Sequence, residues 1–277
     1  MIKKCVTGAV LGVSLLVVPV TGVSASSGTA AAPSAKIRVA VVSGYAALKA
    51  AKAQFATSGL DVSFVSMKSS KGAVKAASSG AVQFAIVDPG VAMWQATKFG
   101  VQIKIVAGAE AYKTKSWGIV GGNSVTDASS LYQQKIAIQE RAGVSHLATD
   151  VWLDTNGADS TSVTYTELQP TAMAAALASG KVGAAIGPLA LLKGKAIGDP
   201  VGDAFGAGAP TSVVVAGAKS PTATIKKFVA ALGKVRGFST KLKMNALETE
   251  AETLGNYAFT DGQPDLDTLV WSGAAKA

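Results

Sequence analysis

Catalytic chemistry at neutral pH usually draws on histidine, cysteine or an activated serine, and this 277-residue chain carries one histidine, His146, and one cysteine, Cys5. That supply excludes His-rich metal centres and Cys nucleophiles. Ser145 precedes His146 at a predicted helix start, but adjacent helical residues point apart and make a poor nucleophile and base. His146 therefore reads as a surface or cleft-rim side chain. No Gly-x-Ser-x-Gly elbow, Walker loop or Gly-x-Gly-x-x-Gly after a strand is found. The expectation is a protein that is not an enzyme, with no metal and no cofactor.

The residues on offer suit binding. Five short loops each follow an apolar run and open a helical one: Ser43-Gly44-Tyr45, Lys68-Ser69-Ser70, Asp88-Pro89-Gly90, Gly143-Val144-Ser145 and Gln169-Pro170-Thr171. Ligands of open α/β sheets bind at the carboxyl ends of strands. Helix starts there present unsatisfied N–H groups and a partial positive charge, suited to a carboxylate, sulfonate or phosphate. The same residue types also serve as ordinary caps and turns. Glu110 and Tyr112 follow the fourth strand, either lining a cleft or as plain loop residues. Asp88 either caps the helix after it or faces the ligand. If Asp88 or Glu110 faces the cleft, a zwitterion or a cationic heterocycle is favoured over a simple anion.

These loops need a repeated scaffold. Strands are expected at 37–42, 61–67, 84–87 and 101–107, with helices at 46–57, 71–78 and 91–98 between them. This alternation gives a mostly parallel sheet. A second series has helices near 127–133, from about 145 to 153, and at 171–178, with strands at 136–139, 163–166 and 182–186. Helices at 222–238 and 242–254 finish the chain. Residues 76–86 are echoed at 176–186, matching at Ser79/Ser179, Gly80/Gly180, Val82/Val182 and Ile86/Ile186. Lys36-Ile37 through Gly44 to Leu48 is echoed by Lys135-Ile136 through Gly143 to Leu147. The expected fold class is α/β in two lobes on one plan, 36–120 with 212–277 and 121–211, joined by a hinge of two segments near 120 and 212.

Lys3 and Lys4, the apolar run 6–20 and Val23-Ser24-Ala25 read as a signal peptide over residues 1–25. Residues 26–35, rich in Ser, Ala and Gly, read as a flexible leader. Cleavage would remove Cys5, so stability would not rest on disulfides. The formal charge of +9 becomes 9 − 2 = +7 without Lys3 and Lys4. The lysines are scattered, which speaks against nucleic acid and mildly favours an anionic small ligand.

Gly-Leu-Asp-Val (59–62), Ser-Ser-x-Gly (69–72), Ala-x-x-Ser-Gly-x-Val-x-x-Ala-Ile-Val (76–87), Val-Gln-Ile-Lys-Ile-Val-Ala-Gly (101–108) and Gln-Pro-Thr-Ala-Met-Ala-Ala-Ala-Leu (169–177) resemble periplasmic solute-binding proteins of ABC importers. The branch is that of type 2 binders for sulfonates, taurine, nitrate and thiamine pyrimidine precursors. The resemblance implies the periplasmic-binding-protein type 2 fold, a small anionic or zwitterionic ligand clamped between lobes, and a cognate permease in the inner membrane. It further implies a monomer in the periplasm or secreted. The head group would be held by Gly44 and Tyr45, Ser69 and Ser70, and Gly143 to Ser145. Three departures stand out: Asp88 in place of a small neutral residue, Gly187 before Pro188, and no lipid-bearing cysteine. A heterocyclic nutrient stacked on Tyr45 or Trp94, and a solute sensor uncoupled from import, remain alternatives.

Overall fold

The structure, a computed structural model, describes residues 35–42 and 46–277. The expected signal peptide, nearly all of the expected leader, Gly44 and Tyr45 lie outside the described residues. The first lobe opens with strands β1 (Ala35–Val42), β2 (Leu60–Met67), β3 (Phe84–Val87) and β4 (Ile103–Ala111). Helices α1 (Ala46–Ala50), α2 (Lys52–Thr57), α3 (Ser70–Ser78) and α4 (Pro89–Phe99) alternate with them. The second series holds β5 (Trp117–Gly121), β6 (Lys135–Ile138), β7 (Thr164–Glu167), β8 (Ala184–Pro188) and β9 (Ala196–Gly198). Its helices are α5 (Val144–Thr155), α6 (Pro170–Ala178), α7 (Leu189–Leu192) and α8 (Pro200–Phe205). Strand β10 (Pro210–Gly217) and helices α9 (Thr222–Leu232), α10 (Met244–Asn256) and α11 (Leu266–Leu269) close the chain.

The strands form two sheets, ordered β2-β1-β3-β10-β4 and β7-β6-β8-β5-β9. In each, three parallel strands are followed by one antiparallel strand, β10 beside β3 and β5 beside β8. The sequence echoes fall on equivalent strands, β1 with β6 and β3 with β8. The α/β two-lobed class read from the sequence is what the sheets show. Trp117–Gly121, expected as a crossover, is a strand of the second sheet, and residues 212–215 lie in β10 of the first.

Apolar alternation explains why the first sheet is covered on both faces. Val39, Val41, Phe84, Ile86 and Val214 pack with Phe55 and Phe228 on one side. Ala40, Ala85, Val87, Val213 and Val215 face the other. Phe228 stacks on Phe84 at 4.2 Å and on Phe55 at 5.7 Å, fixing α9 and α2 over the sheet. The opposite core continues without a break into Ile119, Ile136, Leu147 and Ile186 of the second lobe. That core is shared by the two lobes.

Four helices differ from expectation. The 46–57 helix is interrupted at Ala51. The helix expected near 127–133 is only a 3₁₀ turn, Ser129–Leu131. There the Asp127 carboxylate accepts from Ser129 Oγ at 2.8 Å and the Ser130 N–H at 2.9 Å. Such local bonds compete with helix propagation. The helix expected to reach 238 stops at Leu232, and the one expected from 242 begins at Met244. Gly237, at φ 94°, takes the turn between them.

Candidate functional site

Two chain segments link the lobes, and they are tied to each other. The Tyr112 N–H donates to the Ala209 carbonyl at 2.7 Å, and the Gly208 N–H to the Tyr112 carbonyl at 3.0 Å. The Tyr112 hydroxyl donates to Asp199. Tyr112 thus serves the hinge and does not line the cleft.

A cavity of about 210 Å³ opens between the lobes. From the first lobe it is lined by Val42, Ser70, Val87, Asp88, Glu110 and Thr211. The second lobe supplies Trp117, Gln139, Glu140, Gln169, Pro170, Pro188 and Leu191. The ends of β1, β3, β6 and β8 all reach it, as an open α/β sheet requires. Of the residues singled out from sequence, Ser70, Asp88, Glu110 and Gln169 meet here. Ser69, Gly143, Val144 and Ser145 stand behind the lining, and Trp94 packs edge-on against Phe99 at 5.2 Å instead.

Two of the helix starts expected to receive an anion, those of α3 and α5, are already filled by the protein. Ser69 caps α3 by accepting the Gly72 N–H at 3.1 Å. Glu140, from the opposite lobe, then takes the Ser70 N–H at 2.6 and 2.9 Å and the Lys71 N–H at 3.4 Å. Asp88 runs the other way. Its Oδ1 caps α4 by accepting the Val91 N–H at 3.3 Å. Both its oxygens accept the Val144 N–H, at 2.9 and 3.1 Å, at the start of α5. Gly143 has no side chain with which to cap that helix, so a carboxylate from the other lobe does so. Gly90 is the close-approach point, since a Cβ there would strike the Ala142 carbonyl. Gln169 Nε2 adds a third bond across the cleft, to the Lys68 carbonyl at 3.0 Å.

Burial raises all three acids of the cavity. Desolvation and then the nearby Glu140 charge push Asp88 up to about 7, against the pull of its backbone N–H donors. Glu140 is raised by burial against its bonds from Ser70 and Lys71. Glu110 is raised by burial, with Lys113 pulling the other way. The backbone of Glu110 is fixed by its N–H donating to Ser212 Oγ at 3.0 Å. Sequence reading missed Glu140, Gln139, Trp117 and Thr211. The strand end at 138 was the available signal for the first two.

His146 is a correction: it is 3% exposed, not a rim residue. Its Nδ1 accepts the Ala142 N–H at 3.1 Å, and its ring meets Tyr165 and Phe259 edge-on at 4.1 and 5.0 Å. Burial holds it down to about 3, while the same burial pushes neighbouring Asp150 up to about 7. Ser145 Oγ accepts the Gln139 N–H at 3.0 Å, so serine and histidine are engaged separately. Among the described residues, no three His, Cys, Asp or Glu side chains converge on a possible metal position.

The family model described as NMT1/THI5 like matches residues 44–199, more than half of the chain. This chain belongs to that family. Its fold is shared with the periplasmic aliphatic sulphonate binding protein SsuA of Escherichia coli, at TM-score 0.66 and 18% identity over 88% of this chain and 94% of that one. The alkanesulfonate-binding protein SsuA of Xanthomonas axonopodis pv. citri, solved with MOPS, matches at 0.63 and 15% over 89% and 100%. A Candida albicans protein with the generic periplasmic binding protein fold matches at 0.64 and 13% over 87% and 98%. No curated protein matches the sequence. The resemblance to type 2 solute-binding proteins read from the sequence is therefore shown at the level of family and fold. Among the described residues, no helix is long and apolar enough to cross a membrane.

Proposed function

We propose that this protein is the solute-binding component of an ABC importer, exported by its N-terminal signal and delivering a small organic solute to a membrane permease. One observation carries the reading. The interlobe cavity is lined from both lobes at the carboxyl ends of their strands, so a solute there touches both walls and favours the closed arrangement. The tied segments at Tyr112 and Ala209 are the natural pivot.

Asp88 and Glu110 both face the cavity, which favours a taurine-like zwitterion over a simple alkanesulfonate. Trp117 supports a second reading, a flat heterocyclic nutrient, because it lines the cavity where Tyr45 or Trp94 was expected to stack. A thermal-shift screen of the full chain against sulfonates, zwitterions, nitrate and nitrogen heterocycles tests the reading. A ligand at 100 times its dissociation constant should stabilise by about 2.7 kcal/mol. Saturable binding that survives substitution of Trp117, Glu110 and Gln169 together would sink it.

A further inference from the structure

We propose that the interlobe cavity receives the positively charged end of its solute, a protonated amine or amidine-like nitrogen, at Glu110, Asp88 and Glu140, and rejects simple anions. The proposal rests on the reading of that cavity as the solute site and adds the chemical class.

Three carboxyls from three separate segments line a space of about 210 Å³, and among the described residues no Lys, Arg or His lines it with them. This is local, since the chain as a whole carries a formal charge of +9. Among the described residues, the starts of α3 and α5 are already engaged by carboxylates. Glu140 holds the first N–H groups of α3, and Asp88 holds the Val144 N–H. Pro170, at the start of α6, has no N–H to give. An entering anion would have to displace a bound carboxylate and then sit beside two others, with like charges opposing it in a desolvated space.

A cation meets the opposite situation. A cation would relieve the upward push that Asp88 takes from Glu140, and carboxylate oxygens keep lone pairs beyond the N–H bonds they accept. The Glu110 carboxyl makes no hydrogen bond or ion pair to any described residue. Behind Asp88 stands Glu250, fully buried with neither oxygen bonded to a described residue, its carboxyl pushed well up by burial and then by Asp88. The three acids do not converge as metal ligands do, and the rest of the wall is Trp117, Val87 and Pro188 with neutral Gln139 and Gln169. An ammonium or amidinium on an organic body matches both halves of that wall.

Calorimetry on the full chain at pH 8 with ethanolamine, benzamidine, taurine, methanesulfonate, nitrate and zinc chloride tests the assignment. The expected result is saturable binding of at least one amine or amidine, weakened tenfold or more in Glu110→Gln and in Glu140→Gln, with the two anions silent. Both variants are checked by their melting curves. Folded variants that bind the cation as well as the parent overturn the proposal. Binding of methanesulfonate or nitrate overturns the proposed class and leaves the cavity standing as a solute site. Binding of zinc alone overturns it in favour of a metal. Silence from every probe overturns both the class and the reading on which it rests.

Discussion

Strands β3 and β8 are twins in sequence and in sheet position, yet the loops that leave them behave differently. Asp88, after β3, caps α4, holds the start of α5 in the other lobe and lines the cavity. Pro188, at the matching place, offers no side-chain cap to the four-residue helix that follows it. One scaffold used twice thus yields a structural wall and a chemical wall. The difference is made by single residues at strand ends, while the strands themselves stay alike.

Asp88→Ala should break that difference most. It removes an N-cap, worth about 0.5–2 kcal/mol, and leaves the buried Val144 N–H without a partner, about 1–3 kcal/mol. Loss of a desolvated charge offsets part of this, so a net destabilisation of about 1–3 kcal/mol in urea unfolding is expected. Asp88→Asn should recover most of it. An alanine variant as stable as the parent would show that the cross-lobe bonds contribute nothing.

The next effect is in pH. Asp88 and Asp150 are raised to about 7 in the folded protein, so the fold binds protons that the unfolded chain has released. Stability from these groups is present at acidic pH and lost as pH rises through about 7. His146, held down, works in the opposite sense but only below its ordinary value near 6.5. Around Asp88 the facing acids are Glu140 and Glu250, both raised as well. The ligand-free protein should therefore melt lower at pH 8 than at pH 6.5, and Asp88→Asn should flatten the trend. A melting temperature that climbs over that interval would contradict the burial of these carboxyls as acids.

The smallest effect is expected at Gly187, next to the twin position Pro188. A Cβ at Gly187 would meet only Met173 Sδ at 3.6 Å and Gln139 Nε2 at 4.0 Å, ordinary contacts. Gly187→Ala should change stability by no more than about 0.5 kcal/mol. A loss comparable to that of Asp88→Ala would mean that the two loops are equally demanding.

The architecture was legible because apolar periodicity and the two echoes mark β1, β3, β6 and β8 directly. Strand ends then pointed to Ser70, Asp88 and Gln169, since the loops carry recognisable cap residues. Glu140 was not legible: its role depends on a helix start 70 residues away in the other lobe. The anion expected at the helix starts follows from the backbone alone, and the structure shows side chains occupying those positions. His146 was misplaced because its burial comes from Tyr165 and Phe259, which sequence does not bring together. The order of β10 between β3 and β4 was likewise hidden, as it is set by tertiary pairing.

That placement of β10 bears on how the chain reaches its native state. The second sheet is built from one continuous stretch, Trp117 to Gly198, whereas the first lacks its inner strand until Pro210–Gly217 inserts between β3 and β4. Contacts distant along the chain close slowly, because the intervening loop loses entropy before they form. The second lobe is thus expected to acquire amide protection first during refolding, with β6 and β8 ahead of β3 and β4. Pulse-labelled hydrogen exchange reads this order, and simultaneous protection of both sheets would contradict it. A chain that emerges N-terminus first would hold an unfinished first sheet, its β3 and β4 edges open, until the strand at 210–217 has arrived.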